Sequence, residues 1–118
     1  LEVERLQNAA KQYLGVHDFR AFGTPPKEGG VTLRQVYRSE WQQRNNELTY
    51  IVSANAYLYH MVRRMVYMLV EAGRGAQDVG ATGRLLQDPD ADLIQGLAPP
   101  QGLSLAEVRY PGDPPTAV

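Results

Sequence analysis

Residues 56–72 read AYLYHMVRRMVYMLVEA, and their apolar side chains recur at steps of three and four residues. This spacing is the period of an amphipathic helix, and the apolar arc is broad enough to predict a central, largely buried one. The arc consists of Leu58, Met61, Val62, Met65, Met68 and Leu69. Asn55 precedes the stretch as a candidate N-cap and Gly73 follows it as a candidate helix end.

Two predicted strands lie before this helix. Residues 31–41 and 47–53 carry the two-residue alternation of strands, and the polar stretch 42–46 separates them. Together they predict an antiparallel hairpin with a loop longer than the tightest type. The first strand is expected to place Val31, Leu33, Tyr37 and Trp41 on one face and Arg34, Arg38 and Glu40 on the other.

The flanking segments extend this pattern on both sides. A helical pattern near the start ends around Leu14, with Gly15 at the position of a helix C-cap. The Pro- and Gly-rich residues 17–30 predict a loop. Beyond the central helix, residues 76–87 predict another helix and residues 103–110 predict a last strand.

The predicted order α-β-β-α-α-β defines an α+β fold in which an antiparallel sheet packs on helices. We assign residues 1–110 to this domain and residues 111–118 to an irregular, Pro-rich tail. Three strands make a small sheet, so we expect further strands to come from elsewhere.

Composition narrows the functional classes. The chain has 118 residues, no cysteine, 43% hydrophobic residues and a formal net charge of −1. The lack of cysteine excludes a disulfide scaffold, a thiol nucleophile and a cysteine-ligated metal site. No apolar run approaches the ~18 residues of a membrane-spanning helix, and the mixed composition suits a cytoplasmic protein. Near-neutral charge argues against the basic surface of a typical nucleic-acid binder.

Two details qualify this interpretation. Ten of the twelve basic residues are Arg. Because a guanidinium donates two parallel hydrogen bonds, this bias favours bidentate binding of phosphate or carboxylate groups. The chain also begins at Leu1 without a Met, which suggests a mature product or a piece of a longer protein. His17 and His60 are far apart and have no third ligand at a recognisable spacing, so we expect no metal site.

Arg63 stands out on the predicted central helix. It lies off the polar stripe formed by His60, Arg64, Tyr67 and Glu71, on a partly buried arc. A guanidinium keeps its charge, so it needs a carboxylate or phosphate partner there, and no carboxylate occurs three or four residues away. The alternative is a side chain that extends past Tyr59 to solvent. Arg64 is expected on the solvated face, and His60 is either a structural or surface histidine or a catalytic base.

Three stretches in this order resemble one known family. ANAYLYHMVR at 54–63 resembles the most characteristic motif in the second half of tRNA pseudouridine synthase A enzymes, and HDFRAF at 17–22 resembles an upstream loop of that family. APPQGLSL at 98–105, ending in VRYP at 108–111, resembles its closing strand. The resemblance implies a pseudouridine synthase-like half-domain and an enzyme that isomerises uridine to pseudouridine in the tRNA anticodon stem-loop, with no metal or organic cofactor.

The resemblance also assigns roles to single residues. Arg63 matches the motif arginine that pairs with the catalytic aspartate, and Leu103 matches an apolar residue of the uridine pocket, where His60 and Asn55 are further candidates. The aspartate's own motif is absent from the chain. The sequence therefore resembles the C-terminal half of a synthase, and we expect it to be inactive without the N-terminal half.

The expected partners are tRNA, the N-terminal half and, since such synthases usually form homodimers, a second copy. Candidate tRNA contacts are His17, Arg20, Arg34, Arg38, Arg64 and Arg74. The alternative hypothesis is a non-catalytic RNA-binding or dimerisation module of the same fold. One departure from the family pattern concerns Tyr67, which stands where a Gly is common and adds bulk to the helix near the pocket.

Overall fold

The computed structural model describes residues 1–98. Its elements are α1 (Val3–Lys11), β1 (Gly15–Asp18), β2 (Leu33–Arg44), β3 (Glu47–Ala54), α2 (Met61–Gly73) and α3 (Ala81–Gln87). The three strands form one antiparallel sheet in the order β1-β2-β3. The predicted α+β class, with an antiparallel sheet packed on helices, is confirmed. The predicted last strand at 103–110 and the tail at 111–118 lie outside the described residues.

The hairpin between β2 and β3 is tighter than the sequence predicted. Arg44 pairs with Glu47, so only Asn45 and Asn46 form the turn, and residues 42–44 belong to β2. Asn45 adopts a left-handed backbone conformation, with a φ of 54°. Asn tolerates this region better than most residues because its short polar side chain can form local hydrogen bonds. The prediction of a longer loop is therefore wrong.

A β-bulge near Tyr37 changes which side of β2 faces the core. The register with β3 shifts between Val36 and Arg38, so the alternation of side chains is offset by one residue. Buried positions on this strand are Val36, Ser39 and Trp41, whereas Leu33 and Tyr37 are exposed. By this alternation Arg34 shares the face of Val36 and Arg38 lies on the opposite face. The predicted single face for the two arginines is wrong.

The chain after α1 also differs from the prediction. The helix ends at Lys11, and Gly15, with a φ of 101°, begins β1 instead of capping α1. His17 therefore lies in a short strand that pairs with β2, within a segment predicted as loop. The side-chain amide of Gln7 in α1 exchanges two hydrogen bonds with the backbone of Trp41, at 2.6 and 3.0 Å. These bonds dock α1 beside β2 where β1 has ended.

The core forms between the sheet and the two longer helices. Tyr13, Phe19 and Phe22 are fully buried, with ring centroids 5.5–6.1 Å apart. The Tyr13 hydroxyl donates to the Met65 carbonyl at 2.9 Å and so ties this aromatic cluster to α2. Burial raises the pKa of Tyr13 well above its usual value. The apolar arc of α2 is buried as predicted, at Leu58, Met61, Met65, Met68 and Leu69, while Val62 is half-buried.

The start of α2 is displaced from its predicted position. The helix begins at Met61, with His60 at the N-cap position, and not at residue 56. Asn55 does not cap it, since its backbone N–H donates to the Gln35 carbonyl and its Oδ1 accepts from the Gln35 N–H. Asn55 thus extends the pairing of β2 and β3. The second predicted helix is also shorter, because α3 covers only Ala81–Gln87. No helix within residues 1–98 has the length and apolarity needed to cross a membrane.

Candidate active site

The first turn of α2 brings three of the predicted site residues together. His60 precedes the helix in a left-handed conformation, with a φ of 59°, and Arg63 and Arg64 follow within one turn. The Tyr59 ring stacks on the His60 ring, with centroids 3.8 Å apart and an interplanar angle of 22°. Tyr59 is 66% exposed. An exposed aromatic face therefore lies beside two guanidinium groups.

Arg63 is half-buried and held at one edge of its guanidinium. Its Nε donates to the Ala98 carbonyl at 2.8 Å, and the Ala98 N–H donates back to the Arg63 carbonyl at 3.1 Å. Its Nη1 lies 3.5 Å from Nε2 of His60. Among residues 1–98, Arg63 forms no ion pair with a carboxylate. The Arg63 guanidinium is thus held in position at Nε, while its terminal nitrogens have no acidic partner in this part of the chain.

His60 is adjusted to this positively charged neighbourhood. Partial loss of water contact, followed by the charges of Arg63 and Arg64, lowers the pKa of its imidazole below the usual value. The neutral ring is therefore the dominant form at pH 7. A neutral imidazole protonated on Nδ1 has its Nε2 lone pair free to accept a hydrogen bond from Nη1 of Arg63.

Arg64 differs from its predicted place on the solvated face. Its side chain is half-buried, its Nε donates to the Ile94 carbonyl at 3.0 Å, and its Nη1 lies 3.5 Å from the Tyr59 carbonyl. Burial and the neighbouring charge of Arg63 lower the pKa of Arg64, although a guanidinium remains charged at neutral pH. Arg64 therefore links the turn before α2 to the segment that follows α3.

That segment, residues 94–98, is called the strap below. Its start is fixed by a hydrogen bond from the Ile94 N–H to the Ala21 carbonyl at 2.8 Å. Its middle residue, Gly96, lies against the ring of Tyr67, and its end at Ala98 meets Arg63. The sequence alone did not indicate the strap or the Tyr59 stack. A weak signal was present in Ala98-Pro99, since a residue before proline favours extended backbone.

Two other predicted site residues lie opposite each other in the sheet. His17 of β1 pairs with Arg34 of β2. Nε2 of His17 lies 2.6 Å from the Leu14 carbonyl, and Nη1 of Arg34 donates to the Val31 and Leu33 carbonyls at 3.0 and 2.7 Å. Both side chains are bound to nearby backbone.

The remaining candidates for tRNA contact are dispersed and already have partners. Arg20 donates to the Pro89 carbonyl, and Arg38 forms an ion pair with Glu40. Arg74 pairs with Glu71 at 3.2 Å. Since Arg74 directly follows α2, it lies about 16 Å along the helix axis from Arg63, at a rise of 1.5 Å per residue.

The two other predicted pocket residues do not join the cluster. Asn55 is exposed and bound to Gln35, and Leu103 lies outside the described residues. Within residues 1–98, no three acidic or histidine side chains come close enough to form a metal-binding group.

Comparisons with known proteins find one family over most of the chain. The family model described as tRNA pseudouridine synthase matches residues 9–111. The chain is 32% identical over 108 residues to tRNA pseudouridine synthase A of Staphylococcus aureus strain MRSA252, covering 92% of this chain and 41% of that protein. It is also 32% identical to tRNA pseudouridine synthase A of Staphylococcus epidermidis strain ATCC 12228 / FDA PCI 1200, with coverages of 92% and 40%.

The chain therefore belongs to the tRNA pseudouridine synthase family. It spans about two fifths of the length of the curated relatives it matches.

Proposed function

We propose that this chain is the C-terminal half of an enzyme that isomerises uridine to pseudouridine in the anticodon stem-loop of tRNA. The observation that carries the proposal is Arg63. It is half-buried and held at Nε, and it has no carboxylate partner within residues 1–98. The family match supports a partner supplied by the N-terminal half, where the resemblance places a catalytic aspartate.

The reaction explains why this arginine is needed. Pseudouridine formation breaks the N-glycosidic bond, turns the uracil in the pocket and rejoins it to the sugar through C5. An aspartate that acts as nucleophile or base must be ionised and fixed in position. A guanidinium within hydrogen-bonding distance lowers the pKa of such a carboxylate and orients it. Arg63 performs both tasks, and His60 holds one of its terminal nitrogens.

The other site residues complete the proposal. Leu103 provides an apolar wall of the uridine pocket, and no metal ion or organic cofactor enters the reaction. Asn55, although bound to Gln35, stays a proposed residue of the pocket rim. The tRNA backbone contacts His17, Arg20, Arg34, Arg38, Arg64 and Arg74. On binding, Arg38 and Arg74 leave their ion pairs with Glu40 and Glu71 and pair with phosphate groups instead.

We further propose that the enzyme acts in the cytoplasm as a homodimer. Analytical ultracentrifugation of this chain joined to its N-terminal half measures this assembly directly. A purely monomeric species at micromolar concentration contradicts the homodimer.

Tritium release tests the activity itself. The C5 hydrogen of uridine is lost when C5 bonds to the sugar, so tRNA labelled with tritium at C5 releases label on turnover. We expect release by this chain joined to an N-terminal half that carries the aspartate, and none by residues 1–118 alone. Release by the isolated chain, or none by the joined protein, contradicts the proposal.

A further inference from the structure

The strap contacts α2 through every second residue. The Ile94 carbonyl accepts from Arg64, Gly96 lies on Tyr67, and Ala98 exchanges two hydrogen bonds with Arg63. Residues 94, 96 and 98 thus form a row of three strap contacts with the first two turns of α2.

The central contact of this row requires glycine. A Cβ at Gly96 would lie 2.2 Å from Cζ of Tyr67 and 2.4 Å from both Cε atoms. Real Cβ atoms do not approach an aromatic carbon so closely, so either the ring or the strap would have to move. Tyr67 and Gly96 are therefore matched, and the bulk that departs from the family pattern at Tyr67 fills the space that Gly96 leaves.

The far end of the row determines how Arg63 can be used. The single Nε–H is occupied by the Ala98 carbonyl, so a carboxylate cannot bind side-on through Nε and Nη2. Within residues 1–98, the terminal nitrogens Nη1 and Nη2 have no hydrogen-bond partner other than His60 near Nη1, so both keep N–H groups that are free toward this part of the chain. A carboxylate approaching Arg63 is consequently bound end-on.

We propose that Arg64 and Tyr67 are positioning residues that hold the strap, and that the strap sets the orientation of the Arg63 guanidinium for end-on binding of the catalytic carboxylate. The mechanistic part rests on the proposed function of Arg63, whereas the geometric part concerns residues 1–98 alone. Neither Arg64 nor Tyr67 touches the reacting atoms in this scheme.

The first experiment measures the Arg63 Nε–H by NMR in the ¹⁵N-labelled 118-residue chain, with the signal assigned through Arg63→Lys. We expect this proton to exchange with water more slowly than that of the exposed Arg84. Gly96→Ala and Arg64→Ala should each accelerate its exchange by about five- to ten-fold, as for loss of an ordinary hydrogen bond. The double variant Tyr67→Ala/Gly96→Ala, which makes room for the added methyl group, should exchange more slowly than Gly96→Ala alone.

A control separates strap displacement from general destabilisation. Leu86→Ala removes a buried side chain of α3 that takes no part in the hydrogen bonds between the strap and α2. It should lower the melting temperature while leaving the Arg63 signal unchanged. The proposal is overturned if the Arg63 Nε–H exchanges at an unaltered rate in folded Gly96→Ala. It is also overturned if Leu86→Ala accelerates this exchange as much as Gly96→Ala does.

The second experiment uses the joined enzyme and the tritium assay. Gly96→Ala should reduce kcat by about ten-fold or more, with KM for tRNA within about two-fold, because orientation of the catalytic carboxylate is lost while RNA contacts remain. Tyr67→Ala/Gly96→Ala should regain part of that kcat. If the unsubstituted joined enzyme is active and Gly96→Ala has the same kcat, the positioning role is rejected and the proposed function is not. Lack of turnover by the parent rejects the proposed function and leaves the NMR result to decide the geometry.

Discussion

Arg63 shows how much one side chain can indicate about a missing partner. A charged guanidinium that is half-buried is stabilised by hydrogen bonds at Nε and near Nη1, and neither acceptor is a carboxylate. Main-chain carbonyls and a neutral imidazole satisfy the N–H groups but do not neutralise the charge. The site thus favours an anion at the terminal nitrogens. A catalytic carboxylate, which must be ionised to react, would be such an anion.

Arg63→Ala in the joined enzyme tests this charge directly. We expect kcat to fall by at least about a hundred-fold, the effect of removing one member of a buried charge pair. Binding of tRNA, measured by fluorescence anisotropy, should change little because Arg63 does not contact the RNA in this scheme. Arg84→Ala, in an exposed ion pair with Asp78, is the matched control and should retain activity. Equal losses of binding and turnover would instead make Arg63 a phosphate contact.

His60 provides a pH-dependent test at the same position. Its pKa lies below the usual value, so the folded chain binds this proton less readily than the unfolded chain does. The contribution of His60 to stability is therefore complete above the usual imidazole pKa of about 6.5 and decreases as the pH falls through that region. Removing a neighbouring positive charge should raise its pKa.

NMR titration of the His60 ring proton measures that change. We expect a higher pKa in Arg63→Ala than in the parent chain and the parent value in Arg84→Ala. A titration that is identical in all three proteins would show that Arg63 does not act on His60.

The β2–β3 hairpin is an element whose stability depends on its two-residue turn. Asn45 has a positive φ, and β-branched residues are strongly disfavoured there. Asn45→Val should lower the free energy of unfolding by about 1–2 kcal/mol. Asn46→Val is the matched control because Asn46 does not share the left-handed conformation, so its loss should be smaller. Urea denaturation compares the two, and equal losses would contradict the role of the backbone strain.

Elements with strong periodicity were predictable, and elements set by distant contacts were not. The apolar arc of α2 follows from spacing alone, but its start does not, because Asn55 bonds to Gln35, twenty positions away in sequence. The bulge near Tyr37 leaves no signal in the composition, yet it places Leu33 and Trp41 on opposite faces of β2. Arg63 was identified as a charge needing a partner. The strap that holds it became visible only in three dimensions.

At the scale of the whole molecule, the net charge of −1 does not describe the surface that RNA would meet. Arg63 and Arg64 are concentrated at one end of α2, while Arg38 and Arg74 are offset locally by Glu40 and Glu71. The chain spans about two fifths of the length of the curated relatives it matches. A net charge of −1 is a sum over the chain, and it does not report the local potential around Arg63 and Arg64.

The salt dependence of tRNA binding tests this distribution of contacts. Each phosphate contact contributes about 0.7–0.9 to the slope of log Kobs against log salt concentration. We expect a smaller slope for residues 1–118 alone than for the joined enzyme, because the N-terminal half adds contacts of its own. Arg74→Ala should reduce the slope by about 0.7–0.9, the contribution of one phosphate contact, in both proteins. Arg84→Ala should leave the slope unchanged. Equal slopes for the short and the joined protein would place every phosphate contact on this chain and contradict a tRNA site shared between the halves.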